Sequence, residues 1–565
     1  MSGACLLKKL GYDEHSDVAK TELAFDVDGL VVTSDGPSVW RIDVGLSSWR
    51  LESKVVLSDD DLKMCAHIVA RMAPVGSTAG LQADAHRAGT VFIGLVLNFE
   101  DTRIPVNLVS ADIGCGLTLV PVVDNQGRHL TEKPGDNREY HSYVLACIRR
   151  SLKRGKIAEK GLRPNEFLKQ ASAFYGDSEL ETWLHEMTYV LDSVGIDYGG
   201  DVLGYIGRFC QSLGSSRNHF FEYAVDKHDA YWCVVHSGSR ALGAMVYSAI
   251  AWACRATADG YEIATGALAE FYTRAYDALN KFAKLNRVIC AVAVLDNLGL
   301  ETSAHGLRDA FKKSKLFAPA VAECPDDPAV MELMGGLTHN GLKSFVNDVD
   351  RTVMYVMSKG AIAVSRRASS AIVALRAGEG CVAFTLVDEA CPWREVPLAQ
   401  AATLGYTPVL EANGGIVFAG HGAGRTQSAT QTEKQSSFQD LEDFFEQHDM
   451  VGNIAPGVLG DNPAKAYKPS AEILQHLPLA EACTWSYLRT RVAHKEGLVY
   501  KRHITASCAA HIQATDYEAN PWLSLWHDLN LVRGAVPEDE MERRVAKRDE
   551  VMASLENKFA GTGLV

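Results

Sequence analysis

Short apolar runs of strand length alternate with long segments that repeat alanine and leucine at helical spacing, and this alternation constrains the fold most. Residues 91–97 begin a strand-like region over 92–121, and residues 230–235 predict a further strand that ends at His236. Helical patterns lie at about 139–153, 178–194 and 242–289. Interleaved blocks of both kinds predict an α+β fold with mixed β-sheets flanked by helices.

The composition is typical of a globular chain and limits the classes of function. A length of 565 residues allows a large core, and no apolar run reaches the about 18 residues that a membrane span requires. The 13 cysteines show no framework spacing, which predicts reduced thiols and a cytoplasmic location without a membrane partner. A net charge of −14 argues against a protein that coats nucleic acid. A locally positive cleft could still bind an anionic group.

The most informative motif is HGAGR at residues 421–425, which directly follows the apolar segment 416–419. Glycines at the end of a strand let backbone N–H groups approach a ligand closely, which suits an anion such as phosphate. Arg425 adds a planar fork for phosphate oxygens, and the imidazole of His421 is a candidate nucleophile toward phosphorus. The simpler alternative is a strand-end turn that carries a solvated arginine.

Four other segments place metal-type ligands beside glycine or asparagine. They read SADIGCG (110–116), NHFFE (218–222), HSGSR (236–240) and THN (338–340). Their ligand-type side chains are Asp112, Cys115, His219, His236 and His339. A carboxylate, a thiol and imidazoles together suit Mn²⁺, Fe²⁺, Co²⁺ or Zn²⁺ better than Mg²⁺ or Ca²⁺. Any one of these histidines alone is more simply a hydrogen-bonded core residue, but the set favours a metal centre.

In this order, the segments resemble the motifs of the RtcB-type RNA-splicing ligase family. That family's pattern contains D-x-G-C-G, N-H-F-x-E, H-[ST]-G-S-R, a later His-Asn and H-G-A-G-R. Weaker similarities lie in ADAH (83–86), FAKLNR (282–287), SKGA (358–361), AYK (466–468) and GLVYK (497–501). The resemblance runs from about residue 80 to residue 501 and is carried by a specific set of motifs.

The resemblance implies a fold and a domain organisation. The fold would be an α+β, RtcB-like single large catalytic body with mixed β-sheets flanked by helices. Residues 1–75 would form the N-terminal region of this body and residues 76–501 the ligase catalytic domain. Residues 502–565 would be a C-terminal extension that is partly helical, whereas typical family members end close to the lysine matched by Lys501.

The resemblance also implies an activity and its cofactors. The protein would be a GTP- and Mn²⁺-dependent RNA ligase that joins 3′-phosphate or 2′,3′-cyclic phosphate ends to 5′-hydroxyl ends. His421 would carry guanylate, and the need for an activating protein partner stays open. Two Mn²⁺ ions would be held by Asp112, Cys115, His219, His236 and His339. The Cys115 thiolate is the best candidate for bridging two cations, since sulfur can bind both.

Further site residues follow from the resemblance alone. The nucleotide would be bound by Asn218, Glu222, His339, Asn340, His421, Gly422, Ala423, Gly424, Arg425, Tyr467 and Lys501. Glu222 would accept hydrogen bonds from guanine N1 and N2, Tyr467 would stack on the base, and Lys501 would donate to O6. An ordinary surface tyrosine and a solvated lysine are the alternatives for the last two. Arg240 and Asn218 would hold the RNA phosphate, and accessory positions would be Asp84, His86 and Lys359.

The chain departs from the family's pattern at several points, which keeps two other functions open. TQSA (426–429) lacks a second arginine, RAGEG (376–380) stands in place of the loop that caps the nucleotide, and Arg217 replaces a glycine. One alternative is a metal-dependent phosphohydrolase that acts on RNA or nucleotide phosphate ends. The other is a non-catalytic sensor of RNA ends. The retained His421 and Arg425 argue against the hydrolase, and the retained metal-type ligands argue against the sensor.

Overall fold

The computed structural model describes residues 29–495 apart from short gaps. The gaps are 89–90, 100–101, 136, 153–161, 215–217, 255–261, 323–326, 368, 377, 405–414 and 453–460. Arg217, Lys501, the extension 502–565 and the first 28 residues of the predicted N-terminal region therefore lie outside the described residues.

The described part of the chain contains strands and helices in interleaved order. The strands are β1 (Val31–Gly36), β2 (Val39–Val44), β3 (Ser47–Ser53), β4 (Thr78–Ala88), β5 (Val91–Asn98), β6 (Arg103–Pro105), β7 (Gly116–Pro121), β8 (Phe220–Val225), β9 (Tyr231–Ser237), β10 (Ile263–Thr265), β11 (Leu337–Thr338), β12 (Asn340–Asn347), β13 (Val353–Lys359), β14 (Ala361–Ser365), β15 (Ser369–Ala374), β16 (Cys381–Leu386), β17 (Trp393–Val396), β18 (Ile416–Gly420), β19 (Val451–Gly452) and β20 (Thr484–His494). The helices are α1 (Asp59–Met72), α2 (Val106–Val109), α3 (Arg138–Ser151), α4 (Pro164–Tyr175), α5 (Asp177–Ser193), α6 (Val202–Gly207), α7 (Arg240–Ala253), α8 (Ala267–Asn297), α9 (Ala304–Lys313), α10 (Ala318–Ala322), α11 (Asp327–Met334), α12 (Leu398–Ala402), α13 (Ala429–Gln435), α14 (Phe438–Gln447), α15 (Pro463–Ala466) and α16 (Ser470–Leu474).

Two eight-stranded sheets form the body of the molecule. The first runs in the order β1-β2-β3-β4-β5-β13-β12-β17, so the strands of residues 31–53 belong to the same sheet as β4, β5, β12, β13 and β17. The second runs β11-β7-β9-β8-β20-β16-β15, with β19 beside β20, and two-stranded sheets pair β10 with β6 and β14 with β18. Most pairs are antiparallel, whereas β3–β4 and β19–β20 are parallel. The predicted α+β fold with mixed sheets is confirmed.

The strands that carry the site are covered on both faces. Every residue of β7, β8 and β9 is buried, which explains why these segments are almost continuously apolar. The long helix α8 packs against β7 and β9 and buries a face rich in alanine, leucine and valine. A sheet held in this way positions its strand ends firmly, and the site is built on those ends.

Two local predictions differ from the structure. The helical pattern at 242–289 is divided between α7 and α8, with β10 between them. Gly266 precedes α8 with a φ of 54°, a left-handed conformation that suits glycine and separates the helix from β10. Within the strand-like region predicted at 92–121, residues 106–109 form the short helix α2, which directly follows Pro105. The helices predicted at 139–153 and 178–194 are confirmed as α3 and α5.

The sequence also predicts that the chain has no membrane span and that its cysteines are reduced thiols. Among the helices of the described ranges, none combines the length and the apolar character needed to cross a bilayer. The described cysteines are free thiols, and all of them except Cys483 are buried. Their burial means that most act as small apolar core residues.

Arg287 on α8 joins the strand ends of the second sheet. Its side chain is fully buried, and Nε donates to Thr118 Oγ1 at 2.8 Å. One terminal nitrogen donates to the carbonyls of Gly114 at 2.8 Å and Ser237 at 2.7 Å, and the other donates to Gly335 at 3.0 Å. These carbonyls lie beside Cys115, His236 and β11, so one guanidinium connects the segments that carry the candidate ligands.

We expect Arg287→Met to lower the free energy of unfolding by more than about 3 kcal/mol, because three buried carbonyls would each lose a charged donor, although that of Gly335 would keep Thr118 Oγ1 as a donor. The matched control is Arg274→Met on the same helix, where the side chain is 43% exposed and pairs with Glu186. That control should cost less than about 1 kcal/mol. Urea unfolding of the two variants measures the difference, and equal losses would contradict the structural role of Arg287.

Candidate active site

The register of the second sheet brings three candidate ligands to one end. Gly116 pairs with Ser237 across β7 and β9, and Phe220 pairs with His236 across β8 and β9. Cys115 and His219 stand one residue before β7 and β8, so both meet His236 at the same edge. The backbone N–H of His339 donates to the Cys115 carbonyl at 2.8 Å, which adds β11 and β12 to the cluster.

The ligand atoms of this cluster converge. Cys115 Sγ lies 3.3 Å from His219 Nε2 and 3.2 Å from His236 Nε2. His236 Nε2 is 3.1 Å from His339 Nε2, and Asp112 Oδ2 is 3.4 Å from His219 Nε2. All five residues predicted as metal ligands are therefore neighbours in the fold.

The protonation states suit metal binding. Burial and the neighbouring histidines hold the pKa of His236 and of His339 well below the ordinary value, so both rings are neutral at pH 7. Burial alone would raise the pKa of Asp112, but His219 lowers it below its usual range. Burial, reinforced by Asp112, raises the pKa of the Cys115 thiol, and a bound cation would reverse that effect.

The donor set fits a divalent cation. Ligand atoms that share one ion at bond lengths of about 2.0–2.3 Å lie about 3–4 Å apart. The ligand atoms of Cys115, His219 and His236 are all within 4.8 Å of one another. His219 Nδ1 donates to the Leu213 carbonyl at 2.6 Å, which directs the lone pair of Nε2 at the cluster. The buried Nδ1 atoms of His236 and His339 have no hydrogen-bond partner among the described residues.

His421 lies at the end of β18 with one ring nitrogen fixed. Nδ1 is 2.6 Å from Asp84 Oδ2 and 2.6 Å from the Gly360 carbonyl oxygen. Both partners are acceptors, so Nδ1 carries a proton, and Nε2 is the ring nitrogen that remains to act on a ligand. The backbone N–H of His421 also donates to Asp84 Oδ2 at 3.0 Å. The ring centroids of His421 and His339 are 4.4 Å apart, which sets a candidate nucleophile beside the cluster.

Two glycines make this arrangement sterically feasible. A Cβ atom at Gly360 would lie 2.9 Å from His421 Cε1, and its φ of 64° disfavours any side chain. A Cβ atom at Gly420 would lie 2.5 Å from Asp84 Oδ1. The close approach of backbone to the imidazole–carboxylate pair therefore explains the glycines before His421 and after Lys359.

A cavity of about 760 Å³ opens over these groups, a volume typical of small-molecule sites. The predicted site residues in its wall are His86, Asp112, Asn218, His236, His339, Asn340, Lys359, His421, Gly422, Ala423, Gly424, Arg425 and Tyr467. Of the accessory positions, Asp84 holds His421 from behind, and His86 Nδ1 lies 2.9 Å from the Asp84 carbonyl. The motifs predicted to form one site thus surround one cavity.

Glu222 and Arg240 are both hydrogen-bonded to other parts of the protein. The buried Glu222 accepts hydrogen bonds from the Gly378 N–H at 3.2 Å and from Thr490 Oγ1 at 2.7 Å. Burial raises the pKa of this carboxyl. Arg240 donates to the carbonyls of Phe209 and Ser212, both at 2.9 Å, and holds the loop before Asn218. Neither side chain is part of the described cavity wall.

Arg425 and Tyr467 are joined through an acid that the sequence did not identify. Arg425 Nη1 donates to Asp461 Oδ1 at 2.5 Å, and Tyr467 Oη donates to the same oxygen at 3.1 Å. Lys495 Nζ lies 3.7 Å from Asp461 Oδ2 and 5.7 Å from the Tyr467 ring centroid. Asp461 and Lys495 both line the cavity. Their only sequence signals were nearness to the AYK segment and to Lys501.

Comparison with known proteins does not assign a function, which has to be inferred from the chemistry of the site. No family model matches this chain, and no curated protein matches it either. The convergence of a thiol, imidazoles and a carboxylate, of which Asp112, His236 and His339 reach the cavity wall, is therefore the main evidence on function.

We expect Cys115→Ser to lose most of its affinity for a divalent metal, because a serine hydroxyl is a far poorer ligand than a thiolate at pH 7. Co²⁺ titration should give thiolate-to-cobalt absorption in the unmodified protein and not in this variant. The matched control is Cys233→Ser, a buried cysteine of β9 outside the cluster. Unchanged cobalt absorption in Cys115→Ser would contradict the metal site.

Proposed function

We propose that the protein is an RNA ligase of the RtcB type that joins 3′-phosphate or 2′,3′-cyclic phosphate ends to 5′-hydroxyl ends with GTP. The observation that carries the proposal is the imidazole of His421, oriented through Nδ1 by Asp84 and Gly360 and next to the Cys/His cluster. A hydrolytic metal centre has no need of a second, separately oriented nucleophile in the same cavity.

The metal cofactor in this proposal is Mn²⁺, as two ions. Cys115, His219 and His236 would form the core of the site, with Asp112 and His339 completing the two coordination spheres. When bound, the ions would neutralise phosphate charge and stabilise the oxygens of an in-line displacement. A thiol among neutral imidazoles favours such a borderline-soft cation over Mg²⁺.

The first step uses His421 and GTP. Nε2 of His421 attacks the α-phosphorus, a nitrogen–phosphorus bond forms, and the bond to the bridging oxygen of the β-phosphate breaks. Pyrophosphate leaves, and guanylate remains on His421. The contribution of Asp84 is to keep the ring orientation constant while the charge on the imidazole changes.

The next two steps consume the guanylate. An oxygen of the RNA 3′-phosphate attacks the guanylate phosphorus, and the nitrogen–phosphorus bond to His421 breaks. The 5′-hydroxyl oxygen of the second RNA then attacks the activated 3′-phosphorus, gives up its proton and expels GMP. A 2′,3′-cyclic phosphate is first opened by water to give the 3′-phosphate. The reaction thus uses one GTP for each phosphodiester bond.

Guanine selection in this proposal depends on Lys495 and Tyr467. Lys495 lines the cavity beside the Tyr467 ring, so its ammonium group can donate to the guanine O6 of a base stacked there. This is the role that the resemblance gave to Lys501. Glu222 would read guanine N1 and N2 only if the hydrogen bonds from Gly378 and Thr490 were exchanged for the base.

Partners and location complete the proposal. The partners are RNAs with the matching ends, and the need for an activating protein is left open. The free thiols favour a cytoplasmic location.

The alternative is a metal-dependent phosphohydrolase that uses the cluster alone. Such an enzyme would release phosphate from RNA or nucleotide ends without GTP.

We expect His421→Ala to abolish the transfer of label from α-³²P-GTP to the protein, together with the joining of 3′-phosphate to 5′-hydroxyl ends. It should still join RNA supplied with a preformed 3′-guanylylated end, because the last displacement does not use His421. His305→Ala, at a histidine that is 76% exposed, is the control for label transfer. Label on His421→Ala would assign the nucleophile to another residue, whereas phosphate release without GTP by the unmodified protein would favour the hydrolase.

We expect Lys495→Met to reduce the preference for GTP over ATP about tenfold in the labelling reaction, since a charged donor to O6 is lost. The ratio of the two labelling rates is the measurement, because it does not depend on the fraction of folded protein. Glu222→Gln serves as the comparison, and a larger fall in that variant would assign base selection to Glu222.

A further inference from the structure

The cavity wall carries a small set of cationic side chains. Among the described residues they are Arg87, Lys359, Arg425 and Lys495. A ligand with several phosphate groups needs donors that are not already engaged by the protein, so the partners of each cation decide which of them can bind it.

Three of these cations have protein partners. Lys359 Nζ donates to the Val109 carbonyl at 2.9 Å and to Ser110 Oγ at 3.0 Å. Arg425 is bonded to Asp461, and Lys495 pairs with the same carboxylate. Each would have to give up a partner in order to bind phosphate.

Arg87 differs from them. It is exposed, lies next to the end of β4, and its backbone is paired with Phe92 of β5. No hydrogen bond or ion pair involves its guanidinium within the part of the chain that the structure describes. Arg87 is three residues from Asp84, the partner of His421, which puts the two α carbons at most about 11 Å apart.

We propose that Arg87 binds a backbone phosphate of the RNA strand whose 3′ end enters the cavity. This inference rests on the proposed function and names a substrate contact of the same site. The guanidinium fork offers several donors to phosphate oxygens, and its fixed strand position holds them at the cavity wall without displacing an internal partner. On a chain with a net charge of −14, such an unpaired cation supplies local attraction for a polyanion.

The test is the binding of a fluorescent single-stranded RNA with a 3′-phosphate, measured by anisotropy at several salt concentrations. Arg87→Ala should weaken binding about tenfold and reduce the slope of log Kd against log salt by about 1. Arg87→Lys should keep the salt slope and lose part of the affinity, since a point charge replaces the fork. Arg50→Ala, at an exposed arginine of β3, is the matched control and should behave as the unmodified protein.

Labelling by α-³²P-GTP is measured in parallel, because that step takes no RNA. The loss in RNA binding in Arg87→Ala should exceed any loss in labelling; equal losses would assign Arg87 to the nucleotide and overturn the inference. If Arg87→Ala binds RNA as tightly as Arg50→Ala does, the inference is also overturned, and the ligase proposal is unaffected. If the unmodified protein is not labelled but its RNA binding depends on Arg87, the ligase proposal is rejected and the inference about Arg87 is supported. If the unmodified protein does not bind RNA, both are rejected.

Discussion

The buried guanidinium of Arg287 is the interaction on which the geometry of the site depends. A charge in the interior is tolerated only when its donors are satisfied, and here they are satisfied by carbonyls and a hydroxyl at the ends of neighbouring strands. The strand ends must therefore converge, and Cys115, His236 and His339 converge with them. The partners are neutral, so the positive charge persists beneath the cluster. It adds to burial in lowering the pKa of His236 and His339, which keeps both available as ligands.

The sequence predicted best what depends on local chemistry. Continuous apolar runs predicted β7 and β9 because those strands are buried on both faces, and Cys115 and His236 lie at their ends. The break between α7 and α8 was missed because alanine and leucine continue at helical spacing on both sides of it. A change of backbone direction at Gly266 depends on packing with β6, which no periodicity reports.

The residues of the candidate site could be predicted from the sequence, but their hydrogen-bond and ion-pair partners could not. The motifs identified most of the side chains that surround the cavity, and several of these, such as His236, His339 and His421, lie in or next to strand ends. It could not identify the partners of Glu222, since Gly378 and Thr490 are 156 and 268 residues away in the chain. The pairing of Arg425 with Asp461 escaped for the same reason. Whether an arginine can bind phosphate depends on its tertiary partners, and a sequence motif does not show them.

The position of His339 links the two halves of the proposed chemistry. Its Nε2 lies 3.1 Å from His236 Nε2, and its ring centroid lies 4.4 Å from that of His421. In the proposed reaction, a cation held by the cluster would lie one imidazole away from His421, close enough to bind the phosphate oxygens of a nucleotide in the same cavity. His421 Nε2 would then meet a phosphorus atom whose oxygens are already positioned, so the two motifs would act on one ligand. Because His339 is the neighbour that the cluster and His421 share, its position brings the metal-type ligands and the candidate nucleophile within reach of that ligand.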